Sequence, residues 1–179
     1  ALPFWGEVAP FVQSSIDSLN IPPPPALNSA AYAAAYNEVK GIGAAGSLTR
    51  TPDQTASALF WDVSNGTTWV RAGLTIAADE QLSTLQYAQI FGRLTTGLAD
   101  AFVVGMDSKY DYRLWRPITA IQLGDLDGNP DTAGDPNWTS LFAAPAHPSY
   151  LSTHSLLSGA ASTILLDGFG EEAFGFSIG

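Results

Sequence analysis

The segment "LSTLQYAQIFGRLTTGLADAFVVGMDSKYDYRLWRP", Leu82 to Pro117, decides the fold class. Leu82, Leu85, Ala88, Ile90, Phe91, Leu94, Leu98, Ala101 and Phe102 recur near a period of 3.6, the signature of an amphipathic helix. The spacing predicts one long helix from about Ser83 to Tyr112. Pro117 biases Arg116 away from helical geometry, so the helix should end or kink there.

Outward from this helix, the neighbouring segments read the same way. "NSAAYAAAYNEVKGIG" has a cap candidate at Asn28 or Ser29 and glycine stops at Gly41 and Gly43. "TPDQTASALFWDV" opens with Thr51 as N-cap, Pro52 in the first helical position and Asp53 in the first turn. "GTTWVRAGLTIAADE" predicts a further helix, and "LSTHSLLSGAASTILL" a final buried one starting near Ser152. "GDLDGNPDTAGDPN" is a turn-rich loop, "NWTSLF" predicts one helical turn, and "PAHPSY" is extended by its prolines. No alternating strand pattern and no internal repeat stand out, so the expected class is all-α, a helical bundle. "IPPPPAL" at 21–27 favours a stiff polyproline segment, so residues 1–28 are expected to form an arm over a helical domain of residues 29–179.

Composition narrows the partners. The 179 residues carry 7 Lys and Arg against 17 Asp and Glu, a formal charge of -10. A nucleic-acid partner needs a basic footprint, which this chain lacks. The charged fraction is only 13%, which leaves many exposed positions uncharged or facing another chain, such as a second copy in a homo-oligomer. No apolar run of 18 residues predicts a membrane span. With no cysteine, neither a reducing nor an oxidising compartment is required. The start "ALPFWGE" fits a mature terminus after processing, giving an expected location that is extracellular or periplasmic.

Against that acidic background, "KYDYRLWRP" gathers three of the seven cations, Lys109, Arg113 and Arg116. On a helix continued through residue 116, Lys109 and Arg116 would share one face, about 10 Å apart. A guanidinium fork plus an ammonium suits a tetrahedral oxyanion. Cations also favour a helix C-terminus with no ligand at all. Arg113 reads as structural, with Asp111 a possible partner by spacing. The only two histidines, His147 and His154, lie in "PAHPSYLSTHS". If a helix starts near Ser152, Ser152 offers a hydroxyl, Thr153 a main-chain N–H and His154 an acid–base group in the first turn. The alternative is a capping Ser152 and a packed His154. A metal site from His147 and His154 is disfavoured, because Pro148 breaks the helical spacing. In "DLDGNPD", Asp125, Asp127, Asn129 and Asp131 repeat the ligand rhythm of a calcium loop, but Pro130 stands where an EF-hand loop needs Gly and the twelfth-position Glu is absent, so a solvated acidic turn is the favoured alternative.

Taken together, these residues resemble the vanadium-dependent haloperoxidases and the related type 2 phosphatidic acid phosphatases. The superfamily's first motif, Lys, six residues, then Arg-Pro, fits Lys109 to Pro117 position for position. Its second, Pro-Ser-Gly-His, matches at Ser152 and His154 and departs at Leu151 and Thr153. The resemblance covers roughly residues 50–168 and is similar in detail to the bacterial haloperoxidase-like branch. It implies a helical bundle. It also implies that vanadate is the cofactor, held by Lys109, Arg116, Ser152, the Thr153 amide and His154, with His154 and Lys109 catalytic in halide oxidation by peroxide. Phosphate would occupy the same residues in an acid phosphatase, and a third reading is a non-catalytic assembly protein on this scaffold. The superfamily's third motif pairs an Arg with a His six residues later, and nothing after His154 here is Lys, Arg or His. The expectation is therefore an incomplete bundle, completed by a longer chain or another chain, or an activity that has been lost. Leu156, Ile164 and Leu165 are then expected to lack part of their packing partners.

Overall fold

The computed structural model describes residues 3–12, 16, 19–62 and 65–170. Among them it is all-helical: α1 (Ala30–Ile42), α2 (Pro52–Trp61), α3 (Asn65–Asp79), α4 (Thr84–Tyr112), α5 (Pro117–Gln122) and α6 (Thr153–Phe169). Short 3-10 turns lie at Trp5–Glu7 and Gly124–Leu126. No strand occurs among the described residues, only an isolated antiparallel bridge between Ala44 and Ser140. None of the described helices is long and apolar enough to cross a membrane. The chain divides into two compact units. Among the described residues, the first holds Pro3, Ile21–Ser57 and Ser108–Tyr150, and the second holds those within Phe4–Asn20, Ala58–Asp107 and Leu151–Gly179.

Local chemistry sets the helix ends in the first unit. Ser29 caps α1 by accepting from the Tyr32 N–H. Thr51 and Gln54 satisfy each other's main-chain N–H groups at the start of α2, a reciprocal capping box. Arg50 ties the region together by donating to the carbonyls of Ile42 and Ala44 and to the Thr55 hydroxyl. The core is Tyr32, Tyr36, Ala120, Ile121 and Trp138, where α1 meets α5. Its polar rims are satisfied: Trp115 Nε1 donates to the Tyr32 hydroxyl at 3.0 Å, and the Tyr36 hydroxyl donates to the Ala133 carbonyl at 2.8 Å.

Two expectations fail here. α5 was not foreseen: the chain resumes a helix with Pro117 at its first turn, where the missing N–H costs nothing. "NWTSLF" makes no helical turn; Ser140 bridges Ala44, while Leu141 N–H donates to Gly43 and Ala45 N–H donates to Thr139.

The second unit is built on α4. Ile90, Leu94 and Leu98 of α4 pack with Leu157, Ala161 and Leu165 of α6, joined by Trp69, Val70 and Phe91. The 3.6 period is thereby confirmed for the stripe's centre, whereas Leu85 is 67% exposed near its start. Leu165 is 3% exposed and Ile164 packs against the same core, so these two have their partners within the chain, contrary to expectation. A Cβ on Gly97 would sit 2.4 Å from Ile164 Cδ1, so the absent side chain permits that close packing. The N-terminal segment runs along α4: Trp5 lies edge-on to Phe102, and the N–H groups of Phe11 and Val12 donate to the two carboxylate oxygens of Asp100 at 2.6 and 2.9 Å.

Candidate functional site

α4 stops at Tyr112, as the sequence predicts, so the helix does not continue through residue 116. Arg113 turns into the left-handed region, with φ 49, and its side chain donates to the Tyr110 carbonyl rather than reaching a ligand. Arg116 is then the N-cap residue of α5, in extended geometry with φ -73 and ψ 151. The shared helical face expected for Lys109 and Arg116 does not form. They are nonetheless neighbours, close enough for the Arg116 charge to act on Lys109.

Both cations are withdrawn from water. Lys109 is 1% exposed, and its Nζ donates to the Ser149 carbonyl at 2.9 Å. Burial, then repulsion from Arg116, lowers its ammonium to about 8. Burial also lowers Arg116, whose Nε is buried with no hydrogen-bond partner among the described residues. His147 belongs to the same neighbourhood. Its pKa is pushed below the usual imidazole value chiefly by burial and further by the Lys109 and Arg116 charges, against the opposing effect of the Nδ1 contact with the Pro148 carbonyl. The segment carrying it is held by the Ser149 N–H, which donates to Leu114.

In the second unit, Ser152 caps α6 by accepting from the Ser155 N–H, which is the alternative role the sequence offers for it. Thr153 occupies the first helical position, with its N–H among those that have no partner within a helix. Its Oγ1 is buried without a hydrogen-bond partner and points towards α4, 4.0 Å from where a Cβ on Gly105 would stand. His154 does not merely pack: Nε2 lies 2.9 Å from the Trp61 carbonyl. The predicted groups thus fall into two sets, Lys109 with Arg116 in one unit and Ser152, Thr153 and His154 in the other.

The acidic loop spends its side chains on itself. Asp127 accepts from the Asn129 N–H and the Thr132 hydroxyl, Asn129 Oδ1 accepts from the Asp131 N–H, and Asp125 accepts from the Gly134 N–H. Asn129 Nδ2 donates to the Leu27 carbonyl. Among the described residues no group of three or more acidic, His or Cys side chains could hold a metal ion. Asp125, Asp127, Asn129 and Asp131, the residues of the calcium-loop rhythm, thus take part in a self-bonded turn, the acidic turn that the sequence offers as the alternative. Sequence reading missed the Ser149 and Trp61 carbonyls, since a main-chain acceptor leaves no mark in residue type. It undervalued His147, whose signal was its place within the same short segment as His154.

Comparison with known proteins bears on this arrangement. Residues 89–179 match the model of the VCPO second helical-bundle domain. Vanadium chloroperoxidase of Curvularia inaequalis is 27% identical over 191 residues, covering 88% of this chain and 31% of that protein. A bacterial vanadium-dependent iodoperoxidase has a crystal structure similar to this fold, with a TM-score of 0.74 and 26% identity, over 94% of this chain and 42% of that one. The chain spans less than half the length of either relative.

Proposed function

Because this chain belongs to the vanadium haloperoxidase superfamily, we propose that it supplies the anion-binding half of a vanadate-dependent haloperoxidase site. One observation carries the reading. Lys109 is buried and Arg116 half-buried near it, the Arg116 charge disfavours the Lys109 ammonium, and the Arg116 Nε has no hydrogen-bond partner among the described residues. A buried guanidinium N–H without an acceptor costs free energy that an anion would offset. The donor set fits a tetrahedral oxyanion, with vanadate for a haloperoxidase and phosphate for the acid phosphatase alternative.

On this proposal Arg116 and Lys109 neutralise the oxygens of the anion. The Ser152 hydroxyl and the Thr153 N–H at the start of α6 add neutral donors, and the positive end of the helix favours the same charge. His154 gives and takes the proton that accompanies entry of peroxide. Vanadate held by these residues would supply Lewis-acid chemistry, activating peroxide towards halide without a change in the metal's redox state. Location outside the cytoplasm, extracellular or periplasmic, and a second chain beside this one remain part of the proposal.

The test is calorimetric titration of the chain with vanadate and with phosphate, alongside assays for bromide oxidation by peroxide and for phosphate-ester hydrolysis. Vanadate binding that Arg116→Ala abolishes supports the reading. Ester hydrolysis without bromide oxidation would transfer it to the phosphatases. Failure to bind either anion would overturn both.

A further inference from the structure

The carbonyl of Trp61, the last residue of α2, lies 2.9 Å from Nε2 of His154. A carbonyl has no proton to give, so Nε2 is the donor and carries a hydrogen in both the neutral and the charged ring. When the ring is neutral, the basic lone pair is then on Nδ1. This carbonyl is available because α2 ends there: the last four carbonyls of a helix have no partner within it.

Aromatic packing sets where the carbonyl stands. The Trp61 ring lies against Trp69 of α3, with centroids 5.9 Å apart and planes at 33°, and edge-on to Phe60 at 5.0 Å. Trp69 Nε1 donates to the Ser158 hydroxyl at 2.9 Å. Ser158 and His154 are four residues apart on α6, about one turn, so they share a face. The acceptor and the ring it holds are therefore both referred to one helix. Trp61 reaches α6 through Trp69 and Ser158, and His154 projects from that helix to Trp61.

We infer that Trp61 is a positioning residue for His154: its carbonyl, held by the Trp61–Trp69 pair, keeps a proton on Nε2 and confines proton exchange with the ligand to Nδ1. The inference rests on His154 being the acid–base group of the proposed function. Its consequence is that the ring takes up and returns a proton at one atom, in one orientation. A freely turning imidazole would use either nitrogen and lose alignment with the ligand on each turn.

The experiment is NMR of the 15N-labelled chain, with phosphate as the anion probe. Long-range nitrogen–proton spectra, at a pH where the ring is neutral, should show His154 protonated at Nε2. Its ring N–H should be visible through slowed exchange with water, and His154→Gln removes the signal and so assigns it. Trp69→Phe keeps an aromatic ring but loses the indole N–H. It should speed that exchange by about tenfold and admit the Nδ1-protonated form, as expected for loosening one hydrogen bond. Ser158→Ala removes the other end of the same bond with little change of volume and should act likewise if Trp69→Phe fails to fold. A wild-type ring protonated at Nδ1, or a ring N–H that exchanges as fast as in the urea-unfolded chain, overturns the inference. Phosphate separates it from the function beneath it. Phosphate-induced shifts at Lys109 and Arg116 with an unrestrained His154 ring reject the positioning role alone; a restrained ring without such shifts rejects the anion site.

Discussion

Nζ of Lys109 donates to the main-chain carbonyl of Ser149 at 2.9 Å, across 40 positions of sequence. The bond holds a buried ammonium beside Arg116 rather than letting repulsion drive the two apart. Lys109→Met preserves most of the stem and removes the charge. A hydrogen bond to a charged group is worth roughly 1.5–3 kcal/mol, so sulfate or phosphate binding should weaken by about tenfold to a hundredfold. Calorimetry of Lys109→Met and Arg116→Ala checks this; unchanged affinity in both would detach the pair from any anion.

The same lysine predicts two pH dependences of opposite sign. Its folded value is about 8, below the ordinary 10.5. Above about pH 8 the ammonium is lost and with it one charge of the site. Affinity for sulfate, whose own charge is constant over this range, should fall by about tenfold per pH unit. Stability without an anion moves the other way. Between 8 and 10.5 the unfolded chain holds more protons at this residue than the folded chain, so its contribution to stability rises with pH. Urea denaturation at pH 8 and 9.5, compared with Lys109→Met, isolates that rise. A wild-type slope no steeper than the variant's would refute it.

Much of this was legible in short segments, for stated physical reasons. Ser29, Thr51 and Ser152 are helix caps whose effect is local, and the Ile90–Leu94–Leu98 stripe is a period that needs no partner to be seen. Long-range pairing was not legible. Ser140 meets Ala44 instead of coiling, and Leu165 finds Ile90 and Leu94 within the chain. Pro117 was read as a stop when it is also a start, because proline's fixed φ suits the first helical turn. The end of α4 near Tyr112 and the non-helical Arg116 before Pro117 are legible in the sequence, whereas the left-handed turn at Arg113 is not. The acidic loop is ambiguous in sequence because Asp and Asn serve their own main chain as readily as a cation.

Asp100 provides a separate prediction. Its two oxygens accept from consecutive N–H groups, Phe11 and Val12, and so fasten the N-terminal segment to α4. Asp100→Asn removes the charge and replaces one acceptor by a donor. The segment should detach, raising the rate of limited proteolysis near residues 10–13. Global stability should fall by about 1–3 kcal/mol. An unaltered cleavage rate would show that the Trp5–Phe102 contact suffices to hold the segment.

Gly124 is required by space. A Cβ there would stand 2.2 Å from the Tyr36 hydroxyl oxygen and 3.1 Å from Gly134 Cα. Tyr36 cannot swing away cheaply, since its hydroxyl donates to Ala133 and its ring is core. Gly124→Ala should cost about 1–3 kcal/mol by overpacking, measured by chemical denaturation. Pairing it with Tyr36→Phe, which removes the clashing oxygen, should recover part of that loss. Additive losses in the double variant would place the strain elsewhere.

Thr153 sits where the superfamily's motif has glycine, and its two polar groups make opposite predictions. The Oγ1 is buried with no hydrogen-bond partner among the described residues, near Gly105 of α4. An unsatisfied buried hydroxyl costs free energy that an isosteric methyl would not. Thr153→Val should therefore stabilise the chain by roughly 1 kcal/mol, seen as a higher denaturation midpoint with an unchanged slope. The main-chain N–H is untouched by that substitution. If Thr153 serves the anion through its N–H, as glycine would, sulfate affinity in Thr153→Val stays within about twofold of wild type. A tenfold loss of affinity would make the hydroxyl itself a donor to the anion. A loss of stability without sulfate would mean that Oγ1 has a hydrogen-bonding partner, such as an ordered water.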